Sequence, residues 1–216
     1  MPVPEFVTHY HLADRSPFLS LSELSDDALG PVLADLGQRR VRDGGGRVFG
    51  PRYMALRRLT ESRLHQLFRD AGGRPERTAP HYFVLGVSDW FAELSPDTCA
   101  VTMRLDELPD EAVSFTYPDS FTSMGYGPRF GVPYQPRTYH GKVFRLHELP
   151  DVIAEYGMPQ VDSDHHDYHR RPFENYIEIQ LWSDTPIQRF REPHGGGPAS
   201  RGGDGAAAVS DESQMS

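Results

Sequence analysis

The run Tyr176-Ile177-Glu178-Ile179-Gln180-Leu181-Trp182 constrains the fold more than any other stretch of this chain. Its apolar residues recur at every second position, the pattern of a β-strand. Ile177, Ile179 and Leu181 fall on one face, and Tyr176, Glu178, Gln180 and Trp182 on the other. A carboxylate and an amide therefore stand side by side between two large aromatics. Such a face builds an active site where it meets a cleft, and an ordinary salt-bridged surface where it meets water. Tyr and Trp carry much apolar area and seldom lie wholly exposed, which favours the cleft.

The other elements follow from the same periodicities. Residues 6–12 read as a strand, with Val7, His9 and His11 on one face. Residues 22–38 carry a helical stripe at Leu29, Val32, Leu33 and Leu36, and Pro31, which has no amide hydrogen, is expected to open that helix. Residues 51–71 give the clearest helix, with Tyr53, Leu56, Thr60, Leu64, Leu67, Phe68 and Ala71 at a 3.6-residue period and Gly72 as its stop. Thr60 can alternatively cap a shorter second helix. Residues 81–87, 99–105, 112–117 and 142–146 supply further strands, and Cys99 is expected to be buried within the second of them. Helices and strands mix without regular alternation. That predicts one α+β domain over residues 1–191, built on a mixed or antiparallel sheet with a few helices.

Two stretches stand out from this pattern. Arg104-Leu-Asp-Glu-Leu-Pro-Asp110 recurs as Arg145-Leu-His-Glu-Leu-Pro-Asp151, and each copy follows a strand. Nothing else repeats at that interval, so the echo reads as a reused strand-to-helix connection. Residues 118–141 are long, aperiodic and rich in Gly, Pro, Tyr and Phe, as expected of a packed binding loop or lid. Residues 192–216 hold too few anchors to offset the entropy of ordering, and a disordered tail is expected there.

Charge and cysteine content narrow the function classes. The net charge of −9 argues against general polyanion binding. The charge is segregated, however. Between Arg39 and Arg77 eleven arginines face four acids, so the rest of the chain carries −16. That window leaves room for a local phosphate or nucleic-acid surface. A single cysteine allows no intrachain disulfide, and no apolar run is long enough to span a bilayer. No signal peptide is visible, so a cytoplasmic location is expected.

Four groups can carry chemistry. Glu178 can act as general base or stabilise an oxocarbenium-like centre, with Gln180 offering an oriented amide. His9 and His11 share a strand face and can bond a ribose or a metal. The cluster Asp162-Ser-Asp-His165-His166-Asp-Tyr-His169 is dense in metal-ligating types but has proline flanks and no HExxH pattern, which favours a solvated loop. Ser114 and Thr116 share a strand face and can line a pocket. A metal-dependent hydrolase using the histidine and aspartate groups and a non-catalytic partner-binding domain using residues 118–141 both remain open on these residues.

Pro80-His-Tyr-Phe-Val-Leu-Gly86, Ser114-Phe-Thr-Tyr-Pro-Asp-Ser120 and Tyr176-Ile-Glu-Ile-Gln-Leu-Trp-Ser-Asp184 together resemble a family of uncharacterised bacterial proteins, which implies no activity. A fainter similarity is to ADP-ribosyltransferases of the DNA-modifying toxin type. It lies in the order of His9 on an early strand, Pro80-His-Tyr-Phe in the middle, and Glu178 on a late strand followed by Pro186-Ile187. The chain departs from those toxins in lacking a basic run before Glu178 and an arginine after the middle Phe. The resemblance implies an ADP-ribosyltransferase-like fold and NAD as the bound nucleotide. It implies that His9 contacts the ribose, that Tyr82 or Ser114 contacts nicotinamide, and that Glu178 promotes transfer. Thr116 and Gln180 are expected to join the NAD-binding residues.

Overall fold

Phe6–Leu12 forms the first strand, β1, over seven residues. A computed structural model describes residues 3–43, 50–130, 136–159, 161–162, 173–174 and 176–191. The expected tail at 192–216 and nearly all of the Asp162 to His169 cluster lie outside the described residues.

Strand β1 pairs with β2 (His81–Leu85) on one side and β3 (Thr98–Arg104) on the other. The sheet continues from β2 to β8 (Glu178–Leu181), then β4 (Val113–Thr116) and β5 (Phe144–Arg145), giving the order β3-β1-β2-β8-β4-β5. Every pairing is antiparallel. Strands β6 (Val161–Asp162) and β7 (Phe173–Glu174) form a separate two-stranded ribbon. With its helices, this is the single α+β domain expected.

Register decides which side chains share a face. Thr8, Val84, Glu178 and Thr116 form one cross-strand row, and Tyr82, Gln180 and Ser114 the next row of the same face. The opposite face carries Phe83, Ile179 and Phe115 in register. Helix α5 (Leu149–Tyr156) covers that apolar face with Leu149, Val152 and Ile153, joined by Ile187 and Phe18. Each such side chain contributes about 1.5–3 kcal/mol when fully withdrawn from water. Gly157, at φ +79°, ends α5 where a side chain would be strained.

The polar face is covered as well. Helix α2 (Pro51–Asp70) lies over it, and Leu64 and Phe68 pack on Trp182. Pro51 sits in its first turn, and Gly72 at φ +83° follows its end. Thr60 caps no second helix: its hydroxyl donates to the Leu56 carbonyl within the continuous α2. Covered on both sides, β8 has no wet face, and Ile177 to Trp182 are each 3% exposed or less.

Two local readings change, and the reused connection is seen in both copies. Helix α1 spans Asp26–Asp43 and holds Pro31 inside, because Ser25 accepts from the Ala28 amide and two acids fill the first turn, starting the helix earlier. Cys99 is exposed, because β3 is an edge strand. The repeated motif forms a strand-to-3₁₀ turn in both copies, closed by Glu107 accepting from the Arg104 amide (3.2 Å) and Glu148 from the Arg145 amide (2.6 Å). Within 118–141, the helix α4 (Ser120–Ser123) is anchored, with Asp119 accepting from the Phe121 and Thr122 amides. No helix among the described residues is long and apolar enough to cross a membrane.

Candidate functional site

Glu178 projects from the central strand toward α2, and a relay of polar side chains fixes it. Trp182 Nε1 donates to Ser114 Oγ (2.8 Å), which donates to Gln180 Oε1 (2.9 Å). Gln180 Nε2 then donates to Glu178 Oε1 (3.2 Å) and stands 3.2 Å from Thr116 Oγ1. Tyr176 OH approaches the other carboxylate oxygen at 3.4 Å. A buried polar chain of this kind locks rotamers only because each member is satisfied. Ser114, Thr116 and Gln180 are fully buried and do not border the cavity described below. In this structure they hold Glu178 from behind the cavity wall.

The opposing charge comes from Arg57 on α2, whose Nη1 lies 3.9 Å from Glu178 Oε1. The guanidinium is clamped between the rings of Tyr82 (4.5 Å) and Phe121 (4.2 Å) and donates to Ser120 Oγ and Tyr53 OH, each at 3.2 Å. Burial works against its charge, but the fields of Tyr53, Tyr82, Glu178 and Glu61 outweigh it and hold its pKa well above the ordinary arginine value. One helical turn on, Glu61 is 3% exposed, and its Oε1 accepts from Ser22 Oγ (2.9 Å) and Tyr82 OH (3.1 Å). Burial pushes the Glu61 carboxyl up, and Arg57 only partly offsets this. Burial likewise pushes the Tyr82 phenol well up, so it stays protonated.

These groups border a cavity of about 190 Å³. Tyr53, Tyr82 and Tyr176 supply aromatic wall, with Glu178, Glu61 and Arg57 as its charges. The segment from Phe18 to Ser22 forms another wall, with Leu19 66% exposed at the rim. Phe18 itself is buried with φ +64°, a backbone conformation strained for a bulky residue.

His9 borders the same cavity but from the other face of the sheet. The β1–β2 ladder ends at Thr8 and Val84, and the imidazole fills the gap beyond it, against Phe18 and Phe83. Its Nδ1 donates to the Tyr82 carbonyl (2.9 Å) and its Nε2 accepts from the Phe18 amide (3.0 Å). Both nitrogens are thus spent on backbone. Burial, reinforced by His11, pushes its pKa down to about 4 against the pull of the Tyr82 carbonyl. The catalytic role expected of His9 is replaced by a structural one, since no ring nitrogen is left for a ribose or a metal. His11 Nδ1 is likewise directed to the Leu12 and Arg15 carbonyls.

Arg57 and Glu61 were not among the residues singled out from sequence. Their signal is present: Met54, Arg57, Glu61, Leu64 and Phe68 follow three- and four-residue steps, so two charges sit on an otherwise apolar stripe. Part of the arginine-rich window is engaged in ion pairs within the protein. Arg39, Arg42, Arg57, Arg58 and Arg77 all pair with carboxylates. No family model matches the chain, and comparison with curated proteins and with solved structures yields no match.

Proposed function

We propose that this cavity takes the nicotinamide end of NAD and that the protein transfers ADP-ribose, with Glu178 as the catalytic carboxylate. The observation that supports this is a carboxylate, fixed by the Trp182–Ser114–Gln180 relay, bordering an aromatic-walled cavity. At about 190 Å³ the cavity is below the roughly 300–1,000 Å³ that encloses a drug-sized ligand, so it fits one planar ring and leaves the rest of a dinucleotide outside. Tyr82 and Tyr53 offer faces for that ring. NAD as substrate supplies a glycosidic bond whose electron pair leaves with neutral nicotinamide while an acceptor bonds the ribose carbon and gives up its proton. Glu178, already oriented and shielded from water, stabilises the positive charge that develops on the ribose and can take the acceptor's proton. The role that the family resemblance assigned to His9 passes to no described residue.

Glu178 on a flat wet face would favour a partner-binding domain that uses residues 118–141. Its 3% exposure beside a cavity speaks for the enzymatic reading instead. Calorimetric titration with NAD, with chromatography for released nicotinamide, tests the proposal. Binding accompanied by nicotinamide release supports it, and the absence of both removes it.

A further inference from the structure

Arg57 and Glu61 stand one turn apart on α2, and the field of the guanidinium reaches Glu61 without a direct ion pair between them. Arg57 is directed to Glu178, Ser120 and Tyr53, and its two faces are covered by Tyr82 and Phe121. Glu61 receives only neutral hydroxyl donors, both on Oε1. Among the described residues no donor reaches Oε2, although the side chain is almost wholly buried and borders the cavity. The other titratable groups around the cavity do not supply a cation. His9 is neutral with both nitrogens bonded, and His81, on the far side, donates Nε2–H to Asp184 at 2.8 Å. The Tyr82 phenol is held protonated by burial. Two carboxylates therefore face one guanidinium, and the surplus negative charge is localised on Glu61. A carboxylate oxygen that no side chain of the protein engages is available to a cation that enters the cavity.

We infer that Glu61 makes the cavity selective for a single-ring planar cation bearing N–H donors or delocalised positive charge, in preference to a neutral or anionic ring of the same shape. The aromatic walls suit such a ring, since cations are held over tyrosine faces. The inference deepens the NAD reading, where the ring entering would be a pyridinium, but it makes a claim about charge that stands or falls separately.

Three isosteric probes separate the cases: benzamidinium, benzamide and benzoate, titrated into the full chain near neutral pH. Benzamidinium is expected to bind roughly tenfold to a hundredfold more tightly than benzamide, the range of a charge-assisted hydrogen bond, and benzoate not at all. Glu61→Gln is expected to bring benzamidinium and benzamide to equal affinity. If that variant does not fold, the pH dependence of the wild-type chain decides. Benzamidinium affinity should fall as acid protonates Glu61, with a midpoint above that of an ordinary glutamate. Equal affinity of the charged and neutral probes in the wild-type chain, or a preference that survives Glu61→Gln or acid, overturns the inference. Benzamidinium binding without NAD turnover removes the transfer reading and leaves this one standing. NAD turnover with no charge preference does the reverse.

Discussion

Lowering the pH from about 7.5 to about 5 should destabilise this protein, chiefly through two buried imidazoles. His9 and His81 both have pKa values pushed from 6.5 to about 4, chiefly by burial. The unfolded chain then binds protons more readily than the folded one. Their contribution to stability is therefore complete above pH 6.5 and is withdrawn as pH falls toward 4. For one such group the loss at pH 5 is about 2 kcal/mol, so the pair removes about 4 kcal/mol. That is a large share of the roughly 5–15 kcal/mol that holds a typical domain together. His65 and His140, also lowered by burial, act with the same sign, and the carboxylates act differently. Glu61, raised by burial, gains stability as acid protonates it. Asp184 and Asp110, both lowered, lose theirs only below about pH 3.8, because that is where the unfolded carboxyl takes its proton. Urea denaturation at a series of pH values, with the slope against urea held in common, measures the effect. His9→Gln and His81→Gln should each shrink the acid loss by about 2 kcal/mol, whatever they do to the neutral baseline. A stability that stays level or rises between pH 6.5 and 5, or single variants with the wild-type pH slope, would refute the burial of neutral imidazoles.

Two further substitutions probe the packing around the site. Arg57→Met strands Glu178 without its cation and should cost about 3–5 kcal/mol, much of it recovered in the Arg57→Met, Glu178→Gln double variant; additive losses in a thermal or urea double-mutant cycle would show that the two side chains are not coupled. Gly73→Ala places a methyl group inside the Phe68 ring, which is fully buried and stacked on Trp182. The ring has no free space to yield, so a loss of about 1–3 kcal/mol is expected, and an unchanged melting temperature would contradict that packing.

How much of this was legible in the sequence differs by element. The period-two run around Glu178 marked a strand, and the 3.6-residue stripe with Pro51 and Gly72 marked α2 from end to end, because both signals are local. The sheet order was not legible. It depends on β8 inserting between β2 and β4, and no local pattern encodes which strand lies next to which. The polar half of the site was hidden for the same reason. Glu178 meets Arg57 only after the chain has folded back over more than a hundred residues, and the charges of Arg57 and Glu61 resemble solvated helix positions until that face is known to be covered. His9 misled because its partners are the Tyr82 carbonyl and the Phe18 amide, backbone groups that sequence does not distinguish. Cys99 misled because alternation alone does not separate an edge strand from a central one.

The central claim is that Glu178, held by its relay at the wall of the cavity, promotes cleavage of a glycosidic bond in NAD. The most direct measurement is the rate of nicotinamide release by the wild-type chain and by Glu178→Gln, with both confirmed folded by circular dichroism. The account predicts measurable release by the wild type and a loss of roughly a hundredfold or more in the variant. Release that is absent from the wild type, or unchanged by the substitution, would contradict it.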